Sequence, residues 1–320
     1  MPRLQRLPSG FVAATGVVVV GRRRRSLSRG GAIAALPVGA AVVAAGGWWW
    51  GALLVAFFTS SSWLSRHRHY DAGAQTQQRR GSERDWVQVL ANGAVATAVA
   101  MASQVLPSPV RRYCYPAFGG VIAAVTADTW ATEIGAGSRL PRRMITTGHL
   151  VPAGTSGGVT TRGTVGDIAG ATAIAVLAAT GSRCRWAPGR PSRLLLSITV
   201  AGVTGSLGDS LLGATLQASY TCSDCGSMTD HAVCQCGQNA SLTRGYPAIT
   251  NDIVNLAASS TGAFVAASLS RALGGYDPVQ GESLRSYQRC SLRRLRKTGD
   301  ADDGLADRSG RSSPSAGTGG

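Results

Sequence analysis

The sequence predicts an all-α bundle of about seven membrane-spanning helices, with room for an eighth, and three observations carry that prediction. The chain is 44% hydrophobic and only 15% charged, against about 25% charged residues in soluble domains. Its apolar residues gather into segments near 11–21, 31–46, 47–64, 86–106, 117–134, 163–181, 194–218 and 250–273, several at or somewhat below the roughly 20 residues that cross a bilayer. Charges lie mostly in the loops and tails, with a few acids set inside apolar runs.

Residues 1–30 form a basic N-terminal segment. Its apolar stretch is short and is followed by Arg22-Arg23-Arg24-Arg25, so it reads as a span, an interfacial helix or part of a targeting segment. A secretory signal would carry its positive charge before the apolar stretch, and most of it lies after. Residues 31–274 are the membrane domain. Within it Trp48-Trp49-Trp50 separates two apolar segments, as an aromatic belt at the interface does; three consecutive tryptophans cannot all face one core. The tail 275–320 holds Arg293-Arg294-Leu295-Arg296-Lys297 and then Asp, Ser and Gly in low complexity, a composition that cannot build a core and is expected to be disordered.

Net charge is +16, and Lys297 is the sole lysine. The arginines lie between apolar segments, where headgroups and orientation account for them, so nucleic acid is not an expected partner and membrane lipid is. If the spans alternate, the loops 22–30, 65–85, 135–162 and 219–249 share one side and carry fifteen arginines, against eight on the other. The positive-inside rule then turns the 135–162 loop toward the cytoplasm, although Arg183, Arg185, Arg190 and Arg193 lie opposite.

Asp128 and Glu133 sit at the end of the run Ala117–Ile134, Asp209 lies between Gly205 and Gly213, and Asp252 stands between Asn251 and Asn255. An ionisable group at membrane depth costs several kcal/mol, about 2.5–3.5 on insertion scales, and is a functional-site hypothesis by default; pairing with arginine or helix capping is the plainer reading. Asp128 and Glu133 are about 140° apart on an ideal helix, so they cannot share one ion unless the helix breaks. Gly205, Asp209 and Gly213 share a face that lets a neighbouring helix approach. Asn251 and Asn255 give an oxygen-rich face of the kind Mg²⁺ wants alongside phosphate, or one that bonds between helices.

Gly154, Thr155, Ser156, Gly157 and Gly158 open the way to the next apolar helix, after Arg139, Arg142 and Arg143. Glycines let successive amides turn into a concave anion-binding nest, and the helix N-terminus adds its dipole. It is not a Walker loop, because no Gly-Lys-Ser/Thr occurs. Asp167, in the helix that follows, reads as a cap or salt-bridge partner. Four of the seven cysteines crowd into fifteen residues of the 219–249 loop. Cys222 and Cys225, then Cys234 and Cys236, offer four thiolates in two close pairs, which suits a tetrahedral, closed and therefore structural Zn²⁺ site, with His231 as a substitute ligand.

These residues resemble the transmembrane protein 19 family (domain of unknown function 92), which includes the plant phytyl-phosphate kinase. The resemblance runs from about Ser28 to Leu273. It is carried by Arg29-Gly30-Gly31-Ala32 with Gly46-Gly47-Trp48, by Gln88-Val89-Leu90-Ala91-Asn92-Gly93, by the Asp128–Gly135 block and by Val151–Val159. It continues with Asp209-Ser210-Leu211-Leu212-Gly213-Ala214-Thr215-Leu216-Gln217 and Asn251-Asp252-Ile253-Val254-Asn255. The family usually reads Asp-Asn where this chain has Thr250-Asn251, so one familiar carboxylate is missing: either Asp252 replaces it or this member has an altered activity. What the resemblance implies is phosphoryl transfer from a nucleoside triphosphate to an isoprenyl monophosphate. On that reading Asp128, Asp209 and Asp252 hold Mg²⁺, and Glu133, Asn251 and Asn255 complete the polar shell. The Gly154–Gly158 loop with Arg142 or Arg143 cradles phosphate. The alternative is a transporter or lipid scramblase in which the same acids serve protons or ions, without nucleotide turnover.

Overall fold

Small residues fill the middle of this chain, and where water is absent it is close van der Waals contact between small side chains that holds helices together. The arrangement that follows is seen in a computed structural model, which describes residues 6–67, 83–137, 140–183, 190–234 and 236–273. Its helices are α1 (Arg6–Arg23), α2 (Arg29–Gly46), α3 (Trp48–His67), α4 (Trp86–Val105), the single turn α5 (Ser108–Arg111), α6 (Cys114–Ala136), α7 (Thr161–Arg183), α8 (Pro191–Thr215) and α9 (Asn251–Ala272). Two short strands, β1 (Arg143–Met144) and β2 (Gly158–Val159), pair antiparallel between α6 and α7. Between α8 and α9, β3 (Ser219–Cys222) is flanked on both sides, antiparallel, by β4 (Met228–Thr229) and β5 (Ala240–Arg244).

The axis of the bundle is α6, buried from Cys114 through Ala127 and packed on α3, α4, α7, α8 and α9. Gly120 of α6 and Gly262 of α9 approach so closely that a Cβ on either would strike the other's carbonyl oxygen. At the far end of the core Trp50 tilts against Phe118 and Tyr115, with ring centroids 4.6 and 5.6 Å apart, geometry that aromatic pairs favour. The Tyr115 hydroxyl donates to the Ala178 carbonyl at 2.9 Å. The three tryptophans therefore divide: Trp50 is core, the Trp49 indole donates to the Leu177 carbonyl, and Trp48 remains exposed as a belt residue would. A second layer, α1 on α2 and α2 on α3 and α4, leans on this core through α3 and α4.

Successive long helices alternate in direction, so one end gathers the last turns of α3, α6 and α8 with the first turns of α4, α7 and α9. The starts at that end are capped. Ser28 accepts from the Gly31 amide at the head of α2, Asp85 and Gln88 form a capping box at α4, Thr160 accepts from the Gly163 amide at 2.9 Å at α7, and Thr250 caps α9. Each supplies an acceptor for an amide the helix itself cannot satisfy.

Five helices among the described residues are long and apolar enough to cross a membrane: α2, α4, Thr161–Ser182 of α7, α8 and α9. With 20 and 23 residues, α3 and α6 have the length to span, but the Thr59–Ser62 run and the tryptophans of α3, and the acids of α6, reduce their hydropathy. The segment 11–21 falls inside α1, a helix of 18 residues. Outward faces carry large apolar side chains, with Val165 68% and Phe264 73% exposed, the exterior that lipid requires. Arg139, Cys184, Cys290 and the 275–320 tail lie outside the described residues.

Candidate functional site: a carboxylate cavity at one end of the bundle

Where α6 loses its small apolar residues it meets a cavity of about 980 Å³. Asp128 and Glu133 line it from α6, Asp167 from α7, Asp209 from α8, and Asn251 and Asn255 from α9. The carboxylates of Asp209, Asp167 and Glu133 are near enough to Asp128 to interact with it electrostatically. Asp167 is only 3% exposed. It is hydrogen-bonded by Ser206, yet its Oδ1 is buried with no hydrogen-bond partner among the described residues. So many acids in one enclosure repel each other and demand a cation or protons.

Glu133 also has partners outside this group of acids. Its Oε1 accepts from the Ser65 hydroxyl of α3 at 2.7 Å, and its charge acts on Arg84. The 140° separation from Asp128 is thus spent on facing a different wall. Arg84 is itself fixed by the backbone: its N–H donates to Ser26 and its carbonyl accepts from Ser28. Its guanidinium lies 5.1 Å from the Phe57 ring centroid and 5.8 Å from that of Phe58, a cation–π arrangement. Burial pulls the Arg84 pKa down to about 10, with the Glu133 charge opposing; the side chain stays cationic at neutral pH.

The nest is a wall of the same cavity. Ala153 through Thr160 all line it, with Gly154 and Gly157 at φ +86° and +82°, the left-handed region that glycine tolerates. Arg244 ties the nest to α8, donating to the carbonyls of Ser156 at 2.8 Å and Gly213 at 3.1 Å. Gln217 adds a bond to the Ser156 hydroxyl at 3.1 Å. Burial lowers the Arg244 pKa. Arg142 lines the cavity and donates to the Ala136 carbonyl.

Two expected residues are not in the lining. Asp252 is about 100° around α9 from Asn251, so the face that turns Asn251 and Asn255 inward turns it aside. Arg143 alternates with Met144 along β1, is exposed, and donates to the Gly148 carbonyl. Asp167 enters in their place. Thr250 caps α9, its hydroxyl accepting from the Ile253 amide, a position that Asp also favours. Arg84, Asp167 and Arg244 gave little sign in the sequence. The one usable signal for Arg84 was the capping box immediately after it, and for Arg244 its being the only arginine of its loop.

In the 219–249 loop the Sγ atoms of Cys222, Cys225, Cys234 and Cys236 all lie within 4.8 Å of one another. His231 is not among them; it lines the cavity beside Asp230, its Nε2 3.7 Å from Oδ1. A second, apolar cavity of about 320 Å³ opens among α1, α2, α3 and α4, lined by Val17, Leu27, Val38, Val43, Phe57 and Phe58 with others, and by Arg84, Gln88 and Asn92.

Fold and site together define a multi-pass integral membrane protein with an acid-lined cavity at one end of its helical bundle. The chain belongs to the family described as integral membrane protein DUF92, whose model matches residues 12–263. It is 30% identical over 193 residues to Protein PGR of Arabidopsis thaliana, a match covering 55% of this chain and 66% of that one. It is 34% identical over 96 residues to the uncharacterized membrane protein MJ0933 of Methanocaldococcus jannaschii, covering 30% of this chain and 37% of the relative. In both cases the chain spans less than two thirds of the relative's length. No solved structure matches it.

Proposed function

We propose that the acid-lined cavity transfers a phosphoryl group from a nucleoside triphosphate to an isoprenyl monophosphate of the phytyl type. One observation carries the reading: the polar and the apolar cavity share Arg84, Gln88 and Asn92. A ligand seated across that junction has an anionic head and an apolar tail, with the fixed guanidinium of Arg84 between them. At about 980 Å³ the polar cavity is at the top of the range of about 300–1,000 Å³ usual for small-molecule sites.

Carboxylates are the donor type that Mg²⁺ takes together with substrate phosphates, and the unpartnered Oδ1 of Asp167 is the kind of buried atom such an ion satisfies. Asp128, Asp167 and Asp209 are the residues that would hold it; when bound it neutralises phosphate charge and orients the phosphates. The amides of the Gly154–Gly158 nest and the α7 N-terminus bind phosphate oxygens, and Arg142 and Arg84 add positive charge. In the transfer an oxygen of the acceptor's monophosphate forms a bond to the γ-phosphorus. The bond from that phosphorus to its bridging oxygen breaks, and that oxygen leaves with the nucleoside diphosphate. Positioning and charge neutralisation are most of what such a reaction asks of a protein.

A transport path would need polar lining through the bundle. The described lining of this cavity lies at one end, and Trp50, Tyr115 and Phe118 fill the core beyond it. The test is transfer in detergent-solubilised protein given phytyl monophosphate, CTP labelled at the γ-phosphate and Mg²⁺. The expected result is labelled phytyl diphosphate from the wild type and none from Asp128→Asn. Equal product from the variant, or no product across a panel of nucleotides, contradicts the reading.

A further inference from the structure

The cysteine hairpin lies outside the chemistry just described, and its geometry is that of a metal site. A tetrahedral Zn²⁺ with Zn–S bonds of about 2.3 Å sets its sulfurs about 3.8 Å apart. Here Cys222 and Cys236 are 3.5 Å apart, Cys225 and Cys234 3.6 Å, and Cys225 and Cys236 3.9 Å, and none of the four is in a disulfide. Each half of the cluster is closed by a glycine amide bonded back to its first cysteine, across four residues in one half and three in the other. The Gly226 amide donates to the Cys222 carbonyl and the Gly237 amide to the Cys234 carbonyl, with the two glycines at φ +67° and +85°. Two independent glycine turns bring four sulfurs within 4.8 Å of one another.

What lies between those turns gives the site a consequence. Cys225 and Cys234 bracket the stretch that contributes Met228, Thr229, Asp230, His231 and Val233 to the wall of the polar cavity. The Met228 sulfur accepts from the Thr155 hydroxyl of the nest. The strand β5 ends in Arg244, whose guanidinium grips the Ser156 and Gly213 carbonyls. Strands of two to five residues bury too little to hold this wall unaided, since even a full two-stranded hairpin is marginal alone.

We propose that Cys222, Cys225, Cys234 and Cys236 bind one Zn²⁺, and that this ion pins the 228–233 wall and Arg244 against the phosphate nest, making zinc a structural requirement of the cavity. The zinc site stands on the sulfurs alone; its importance for transfer rests on the reading above, so the test does not depend on transfer. Zinc is measured by mass spectrometry in the purified full-length protein, and trypsin cleavage after Arg244, the only lysine or arginine between 219 and 249, is followed before and after stripping with 1,10-phenanthroline under reducing conditions. The expected result is one zinc per chain, lost in the double variant C234S/C236S. Resistance at Arg244 should be lost on stripping and restored by added Zn²⁺. A wild-type protein without zinc overturns the site, and equal cleavage with and without zinc overturns its hold on the wall. Because stripping and restoring act on protein that has already folded, a misfolded variant cannot imitate either result.

Discussion

The two cavities of this bundle are built from the same helix-forming alphabet and differ in what lies at the helix ends. Around α6 to α9, small residues bring backbones into contact along the core, and the side chains at the ends of those helices are acids, amides and a glycine nest. Among α1 to α4 the packing stays open enough to leave about 320 Å³, and the lining is almost wholly apolar. Close packing in the first region holds carboxylates at fixed positions despite their repulsion. Looser packing in the second suits a flexible hydrocarbon chain, which asks only for volume and apolar contact. Arg84 belongs to both, and its backbone bonds to Ser26 and Ser28 anchor it to the second layer while its charge serves the first.

The comparison breaks most readily at Asp167. Asp167→Asn is expected to reduce kcat for phosphoryl transfer on the order of 100- to 1,000-fold, the range for removing one preorganised electrostatic group. It should leave a monodisperse protein on gel filtration, because a neutral amide relieves repulsion within the enclosure. Unchanged kcat would return Asp167 to a purely structural role.

The apolar side is sharpened by filling it. Ala52 lines that cavity, and Ala52→Phe should lower kcat/KM for phytyl monophosphate about 10-fold or more, the discrimination a hydrophobic pocket gives. With the short acceptor dimethylallyl monophosphate the same variant should match the wild type. Equal losses for both acceptors would mean that the tail lies elsewhere. The smallest effects are expected at Asp252→Asn and Arg143→Gln. Both residues are outside the cavity lining, and steady-state rates should stay within about 2-fold of wild type; for the exposed Arg143 stability should also hold, since surface changes away from special features usually fall within 0.5 kcal/mol. Asp252, by contrast, is half-buried, and its loss is expected to show in stability before it shows in rate.

Much of this was legible in the sequence, for identifiable reasons. Helical membrane segments announce themselves by run length, so α2, α3, α4, α6, α7, α8 and α9 were expected at nearly their observed positions, whereas the single turn α5 and the five short strands were not. The nest and the four cysteines were visible because their chemistry is local: glycines and thiolates must be adjacent to act together. Asp209 and Asp128 stood out as charges in apolar runs. Which further acid joins them depends on helix rotation, and a shift of one residue, about 100°, separates Asn251 from Asp252. Asp167 sits in a run as apolar as theirs, but its place in the cavity depends on how α7 lies against α6 and α8, which no local pattern encodes. The apolar cavity was not legible at all, because it is a space left between helices and has no sequence of its own.

The central claim is that one amphiphilic ligand occupies both cavities, head among the carboxylates and tail among α1 to α4. The most direct measurement is photolabelling with phytyl monophosphate bearing a diazirine at the far end of its chain, followed by mapping of the modified peptides. The account predicts labels on residues such as Val17, Val38 and Phe58, suppressed by excess unlabelled phytyl monophosphate. Labels confined to the outward faces of α7 to α9, or labelling that excess ligand does not suppress, would contradict it.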